Sequence, residues 1–208
     1  MTDAARDESA TPLLPARATA DGTHRRILEA ALVRFGERGF HGVSVREVAE
    51  AAGVRASSVY AHLESKEQLL FELMLIGHEE HHEMLRMALL EAGSDPIEQV
   101  TELARAHVRL HGTYPLLARV ANREMAALSP ESRLRILDVR RASEQLFTDV
   151  IGRGLRMGVF HVEDEWLGFA AIGSMGLRVA EWWSDDLGYD VERVADTYAT
   201  FAVRLLTG

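Results

Sequence analysis

The chain has 208 residues, of which 47% are hydrophobic and 26% charged, with no cysteine and a formal net charge of −9 at pH 7. This composition is typical of a globular protein of one or two domains, and the lack of cysteine excludes disulfides and thiolate metal sites. No apolar run approaches the length of a membrane span and the N-terminus lacks the apolar segment of a secretory signal, so we expect a cytoplasmic protein without a membrane partner.

The negative charge is unevenly distributed along the chain. Residues 1–20 carry a net charge of −1, residues 21–70 balance seven basic against seven acidic side chains, and residues 71–208 carry −8. An acidic surface repels phosphate and a neutral one does not. Only residues 21–70 are therefore a candidate for contact with nucleic acid.

The chain divides into three predicted parts. Residues 1–20 are rich in Ala, Pro, Ser and Thr without periodicity, and we expect a disordered arm there. From Thr23 apolar residues recur at helical spacing until Gly39, which we interpret as the residue after the helix end. We predict a compact helical domain over residues 21–70 and a larger helical domain over residues 71–208.

Capping signals predict the helices of the first domain. Ser44 and Glu47 have the spacing of a capping box, in which each side chain accepts a hydrogen bond from the other residue's backbone, and so have Ser65 and Gln68. Gly53 provides a turn between the second and third helices. The predicted helices cover residues 23–38, 45–52, 56–63 and about 65–91.

The rest of the chain is also predicted to be helical. Asp95, Tyr114 and Ser129 each precede a proline, a pattern typical of a helix start. Acidic residues at 163–165 favour another helix start, and Asp190 is a candidate cap for the last helix. These helices should run to about residues 111, 128, 157, 183 and the C-terminus. No strand pattern is found, so the predicted fold class is all-α.

The segment from Ser44 to Lys66 has the pattern of a helix-turn-helix. Two short helices joined by a glycine turn allow the second helix to enter the DNA major groove while the first braces on the backbone. The second helix of this pair exposes residue types that contact phosphates and base edges. These residues are Arg55, Ser57, Tyr60, Ala61 and His62.

The same region resembles the DNA-binding domain of the tetracycline-repressor (TetR) family. The matching stretches are ILEAA at 27–31, FGERGF at 35–40, AGV at 52–54, VYAHL at 59–63 and SKEQLL at 65–70. The resemblance implies an all-α homodimer that binds double-stranded operator DNA and whose C-terminal domain binds a small molecule that weakens operator binding. It implies phosphate contacts at Tyr60, His62 and Lys66, backbone contacts at Ser44 and Arg46, and base-facing positions at Arg55, Ala56, Ser57 and Ala61.

Three residues depart from the family pattern. Arg55 stands where Ser or Thr usually caps the third helix, Ser57 where Gly is usual, and Leu63 where Phe is usual. These departures leave the operator sequence unpredictable.

A second resemblance, over residues 114–206, is to the acyl-CoA- and steroid-CoA-responsive branch of the family. It rests on REMAALSP at 123–130, the pair Arg140-Arg141, GLRMGVF at 154–160, AIGSM at 171–175 and EWW at 181–183. It implies an acyl-CoA-like amphiphilic effector, and adaptable Met and aromatic side chains suit the wall of an apolar cavity. The candidate ligand residues are Met125, Phe147, Met175 and Trp182 for the tail, with Arg140 and Arg141 for the anionic head. The same residue types also suit a plain core and a solvated arginine face.

Two histidine pairs offer an alternative. His78 and His82, and His107 and His111, lie four residues apart on predicted helices, a spacing that suits zinc, nickel or copper. A metal-responsive regulator is therefore the alternative function, and a histidine-metal enzyme a further one. We expect no enzyme and no cofactor, because neither a GxSxG motif nor a phosphate loop is present. Residues 21–70 carry no net charge and the rest of the chain is acidic. This argues against an architectural DNA-binding protein, which relies on non-specific attraction between positive charge and phosphate.

The last two helices are the candidate dimer interface. Small residues at Gly168, Gly173, Gly176 and Ala180 allow close helix packing, as in half of a four-helix bundle. Trp166, Leu177, Tyr198 and Leu205 supply apolar surface. A two-fold dimer presents two recognition helices to a palindromic operator. The long fourth helix is a candidate for transmitting a conformational change from the ligand site to the DNA-binding helices. The predicted function is a ligand-responsive transcriptional repressor.

Overall fold

The computed structural model describes residues 11–18 and 22–208, except the side chains of His62 and Asp185. Over this range the chain is all-helical and has no strand, which confirms the predicted fold class. None of the described helices has both the length and the apolarity needed to cross a bilayer. The helices are α1 (Gly22–Arg38), α2 (Val45–Ala51), α3 (Ala56–His62), α4 (Lys66–Glu91), α5 (Pro96–Thr113), α6 (Pro115–Arg123), α7 (Pro130–Met157), α8 (Glu165–Leu177), α9 (Val179–Trp182) and α10 (Val191–Thr207), with 3-10 turns at Met125–Ala127 and Asp185–Leu187.

The first predicted capping box is confirmed. The Ser44 hydroxyl accepts a hydrogen bond from the Glu47 amide at 3.3 Å, and the Glu47 carboxylate accepts one from the Ser44 amide at 2.7 Å. Gly53 follows α2 with a φ of +66°, a left-handed conformation that an L side chain rarely adopts. The cap therefore fixes the start of α2, and the glycine sets the turn between α2 and α3.

The second predicted capping box is only half formed. Ser65 accepts from the Gln68 amide at 3.1 Å, as predicted. The Gln68 side chain, however, accepts from the amide of Glu64 rather than that of Ser65, at 2.6 Å. Gln68 therefore fixes the loop that precedes α4.

The first hydrophobic core joins the N-terminal helices to the larger domain. Leu69, Leu70, Leu73 and Met74 in the first half of α4 are fully buried in it, next to α1–α3. Residues of α6, of α7 and of the segment between them complete the same core, namely Leu117, Val120, Ala121, Leu128 and Ile136. A side chain on Gly36 of α1 would overlap Leu116 of α6, so the two helices meet at that glycine. The predicted boundary at residue 70 thus lies inside a continuous helix and a continuous core.

The second and third cores lie in the larger domain. Leu85, Phe147 and Ile172 represent the second core, which packs the end of α4 against α5, α7, α8 and α10. Ala195 and Ala202 of α10 are fully buried within the chain's own cores. These two alanines therefore support the fold of the single chain and are not available at its surface.

Two helix ends differ from the sequence prediction. α6 ends at Arg123, about five residues early, because the chain then forms a 3-10 turn that places Leu128 in the first core. The helix expected to reach Trp183 is interrupted at Arg178, and the short α9 that follows places Val179 in the third core.

The prediction of a disordered arm is wrong for residues 11–18. Leu14 is only 1% exposed and belongs to the first core. The Arg25 guanidinium of α1 donates to the carbonyls of Leu14 and Pro15 at 2.8 and 2.9 Å, and Arg17 pairs with Glu80 of α4 at 2.6 Å. The prediction rested on the average composition of residues 1–20 and therefore missed this short apolar anchor. Residues 1–10 and 19–20 of the expected arm lie outside the described residues.

We expect Leu14→Ala to lower the free energy of unfolding by about 2–5 kcal/mol, the range for removing a fully buried leucine side chain. Urea denaturation at one protein concentration measures this. The control is Leu90→Ala, because Leu90 of α4 is 65% exposed. An equal effect of the two substitutions would contradict the anchoring of residues 11–18.

Candidate functional site

The α2–α3 pair presents an exposed polar surface. Val48, Ala49 and Val59 are buried under it, which turns the other sides of both helices to solvent. Tyr60 is 58% exposed although it is a large aromatic residue. The other exposed residues predicted to bind DNA are Ser44, Arg46, Arg55, Ser57 and Ala61. Ala56 is half-buried against the first core, and the side chain of His62 is not described.

Two guanidinium groups on this surface are available to a ligand. Arg55 precedes α3 and makes no side-chain capping hydrogen bond. Neither it nor Arg46 forms an ion pair with another described residue, whereas the nearby Arg38 is paired with Glu47 at 2.8 Å. Arg46 and Arg55 are therefore the basic groups of this surface best placed to meet phosphates or base edges.

Lys66 holds the loop between α1 and α2. Its ammonium group donates to the carbonyls of Phe40 and Val43 at 2.9 and 2.7 Å and lies 4.1 Å from the centre of the Phe40 ring. These contacts fasten the α1–α2 loop to the start of α4. The side chain predicted to contact phosphate thus also fixes the loop that leads to Ser44.

A cavity of about 270 Å³ lies between α4, α5, α6, α7 and α8. Its wall is mainly apolar and includes Leu110, Leu117, Phe169 and Leu177. Trp166 and Arg140 also line it while remaining partly exposed, which places them at its mouth. The cavity is thus an apolar chamber with an aromatic and a cationic group at its entrance.

Four histidines line this cavity: His78 and His81 on α4, and His107 and His111 on α5, of which all but the half-buried His81 are buried. His81 Nε2 donates to His107 Nδ1 at 2.9 Å, and His107 Nε2 donates to the Gly173 carbonyl of α8 at 3.0 Å. His111 Nδ1 donates to the His107 carbonyl at 2.8 Å. A side chain at Gly176 would overlap the His107 ring, so that glycine permits the approach.

Burial keeps these rings neutral. It lowers the pKa of His78 and of His107 to about 4 and that of His111 to about 3. The pKa of His81 also lies well below its usual value, because of burial first and its neighbouring histidines second. At neutral pH the cavity therefore offers imidazole donors and acceptors without charge.

The geometry does not bring the predicted histidine pairs together as metal ligands. Both ring nitrogens of His107 are used in hydrogen bonds, and His82, which does not line the cavity, contacts the Ser143 hydroxyl at 3.3 Å. Within residues 11–18 and 22–208 no three His, Asp or Glu side chains are grouped so as to hold a metal.

Of the six predicted ligand residues, only Arg140 lines the cavity. Arg141 points elsewhere and pairs with Asp138 at 3.0 Å. Phe147 lies behind the wall, edge-on to His107, because it is a core residue. Met125 packs on the first core, Met175 is half-buried on α8 outside the lining, and Trp182 stacks on Tyr198.

Sequence reasoning missed most of the cavity wall. The sequence pattern identified His78 only as a candidate metal ligand and gave no indication for the apolar residues of α6. A usable signal was present, since a glycine such as Gly77 in a long helix indicates close approach of another element, and α6 lies there. The aromatic and Met residues predicted to line the cavity pack against other side chains instead. Their sequence pattern is the same in either position.

A helix-turn-helix head joined through one long helix to a helical domain with an internal cavity defines a DNA-binding transcriptional regulator. The chain belongs to the TetR family. Residues 27–73 match the profile described as bacterial regulatory proteins of the tetR family, and residues 93–206 match the tetracyclin repressor-like C-terminal domain.

Relatives support the same assignment. The repressor KstR2 of Mycobacterium tuberculosis is 26% identical over 135 residues, which span 64% of this chain and 67% of that protein. A tetR-family regulatory protein from Rhodococcus RHA1 has 29% identity and a TM-score of 0.83, covering 90% of this chain and 98% of its own. AibR, solved with isovaleryl coenzyme A and operator DNA, has 24% identity and a TM-score of 0.77, covering 86% and 97%, and shares the fold.

We expect Lys66→Met to lower the free energy of unfolding by about 1–3 kcal/mol, because two carbonyls lose a charged donor. The measurement is urea denaturation at fixed protein concentration. Arg46→Met is the control, since exposed Arg46 has no described ion-pair partner and surface changes are usually within about 0.5 kcal/mol. If Lys66→Met costs no more than the control, the loop contacts contribute little and Lys66 is free to serve phosphate.

Proposed function

We propose that this regulator is a repressor that binds a palindromic operator as a homodimer and leaves it when a small molecule enters the cavity. The observation that carries the proposal is the path of α4. This helix starts at Lys66, beside the loop that leads into α2, and supplies Gly77, His78 and His81 to the cavity wall. The functional division is a DNA-binding part over residues 21–70 and an effector and dimer part over residues 71–208.

The α2–α3 surface is the proposed DNA contact. α3 enters the major groove with Arg55, Ser57 and Ala61 towards the bases, while Tyr60 and Arg46 meet the phosphates. Their exposure supports this assignment. Ser44, Ala56 and His62 complete the proposed contact set, and Lys66 positions the loop instead of touching DNA.

The proposed dimer surface lies on α8–α10. Leu167, Trp182, Phe201 and Leu205 are exposed there although all four are large and apolar. Contiguous exposed apolar side chains of this kind are typical of an interaction site. A two-fold dimer through this surface sets two recognition helices about 34–36 Å apart, one turn of B-DNA.

Release is proposed to act through α6 as well as α4. Leu117 of α6 lines the cavity and also belongs to the first core, while the adjacent Leu116 packs on Gly36 of α1. A ligand that displaces Leu117 moves α6 against the DNA-binding helices. Shifting the population from 1:99 to 99:1 requires that the ligand bind the released conformer about 5.5 kcal/mol more tightly.

The effector class we propose is an acyl-thioester. Its acyl part occupies the apolar chamber, which stabilises the complex by about 25 cal/mol per Å² of apolar surface buried. Its anionic head meets Arg140 at the mouth, where that guanidinium lies 3.3 Å from Glu144. Support comes from the resemblance over residues 114–206 and from AibR, a structural neighbour solved with isovaleryl coenzyme A.

Operator binding should depend on both surfaces. With an operator selected from random DNA by the wild-type chain, we expect Arg46→Ala to weaken binding and to lower the salt slope by about 1, since one phosphate contact is lost. We expect Phe201→Glu, at a residue 45% exposed, to give a monomer with much weaker binding. Fluorescence anisotropy and sedimentation velocity measure these effects.

The control for both variants is Leu90→Ala, which lies at the exposed end of α4 away from either surface. Unchanged operator affinity and salt slope in folded Arg46→Ala protein would refute the DNA contact. A wild-type monomer at micromolar concentration, or a dimer that survives Phe201→Glu, would refute the dimer surface.

Acyl-CoAs should release the preformed operator complex. We expect Arg140→Ala to raise the acyl-CoA concentration for half release about tenfold, because a charged contact to the head is lost. The matched control is Arg141→Ala, one residue along α7 but outside the cavity lining, which should leave that concentration unchanged. Butyryl-CoA, hexanoyl-CoA, palmitoyl-CoA, the free acids and divalent metals are titrated in parallel. Release by a metal alone, lost in His82→Ala or His111→Ala, would instead favour the metal-responsive alternative.

A further inference from the structure

One polar atom in the cavity wall has no partner. His78 is 9% exposed, and its Nε2 is buried without a hydrogen bond. Among the described residues only two other buried side-chain nitrogens or oxygens share this condition, Arg133 Nε and Arg153 Nε, and neither residue lines the cavity. A buried polar group left unpaired is rare and unfavourable, so a native structure that keeps one needs a reason.

The neighbouring polar groups of the cavity satisfy one another. His107 uses both ring nitrogens, towards His81 and Gly173. Arg140 is paired with Glu144, and the Asn122 amide donates to the Ala118 carbonyl at 2.8 Å. His78 Nε2 is thus the buried wall atom most in need of a ligand's hydrogen bond.

The surroundings of His78 favour a neutral partner. Gly77 beside it has no side chain, and Leu117 and Ala121 of α6, which pack close to Gly77 and also line the cavity, are apolar. Its ring is uncharged at neutral pH, because burial first and the charge of Arg140 second lower its pKa. A neutral imidazole nitrogen is either a donor or an acceptor, and a hydroxyl group pairs with it in both cases.

We infer that the buried end of the effector carries an uncharged oxygen group, a hydroxyl or a carbonyl, which hydrogen-bonds to His78 Nε2. This inference rests on the proposed effector cavity and adds to it a choice among ligands. A plain hydrocarbon chain that expels water from this wall leaves the imidazole unpaired, whereas an oxygenated chain or ring does not. His78 is then a specificity residue that selects oxygenated acyl groups over saturated alkyl ones.

Phenol and toluene test this inference, because they have nearly the same shape and differ by a hydroxyl in place of a methyl group. Their dissociation constants are measured by NMR titration of the full-length chain, for wild type and His78→Leu. The ratio of the toluene constant to the phenol constant should fall about tenfold in His78→Leu, since one buried hydrogen bond is lost. In ¹⁵N-histidine spectra, the His78 Nε2 signal should move with phenol and not with toluene.

Two further variants serve as controls. His78→Gln keeps a polar group near the same place and should retain most of the preference for phenol. His161→Leu replaces an exposed histidine outside the cavity lining and should leave the ratio unchanged.

The outcomes separate the two proposals. If both probes bind and the ratio is the same in wild type and His78→Leu, the inference about His78 is wrong while the effector cavity stands. If neither probe binds the wild-type chain at millimolar concentration, the cavity does not take small ligands, and both the effector site and this inference are overturned.

Discussion

Everything else in the structure depends on how α4 is packed. Its first half is enclosed by the DNA-binding helices through side chains such as Leu73 and Met74, and its far half enters the second core through Leu85. Between them Gly77 and His78 face the cavity. Close-packed interiors transmit strain, so the proposed response to a ligand has a continuous path along α4. No break in the helix separates the residues in the first core from those that line the cavity.

The histidines of the cavity wall connect α4 to the neighbouring helices. Four imidazoles lie in the wall of a chamber that is otherwise mainly apolar, and three of them, His81, His107 and His111, bond to each other or to the backbone. The path from His81 through His107 to Gly173 connects α4, α5 and α8 by hydrogen bonds. Such networks have few alternative arrangements, so they favour discrete states over gradual deformation.

Local signals predicted the helices well and the cavity poorly. Ser44, Gly53 and the X-Pro pairs act over a few residues, and the structure has the corresponding helix starts. Cavity lining depends on how five helices meet, which no local pattern records, and Phe147 has the same apolar character whether it faces a ligand or the core. Lys66 shows the same limit at the DNA-binding end, because its carbonyl partners lie more than twenty residues away in sequence.

The contact between Gly36 and Leu116 bears on the modularity of this architecture. A chimeric regulator made by exchanging the N-terminal head at the residue 70 junction would place a foreign α1 against this α6. Any side chain larger than hydrogen at the position of Gly36 would meet Leu116, and the leucines of α4 would face new neighbours. Head exchange for a biosensor is therefore best designed with the α6 surface around Leu116 transferred together with the head.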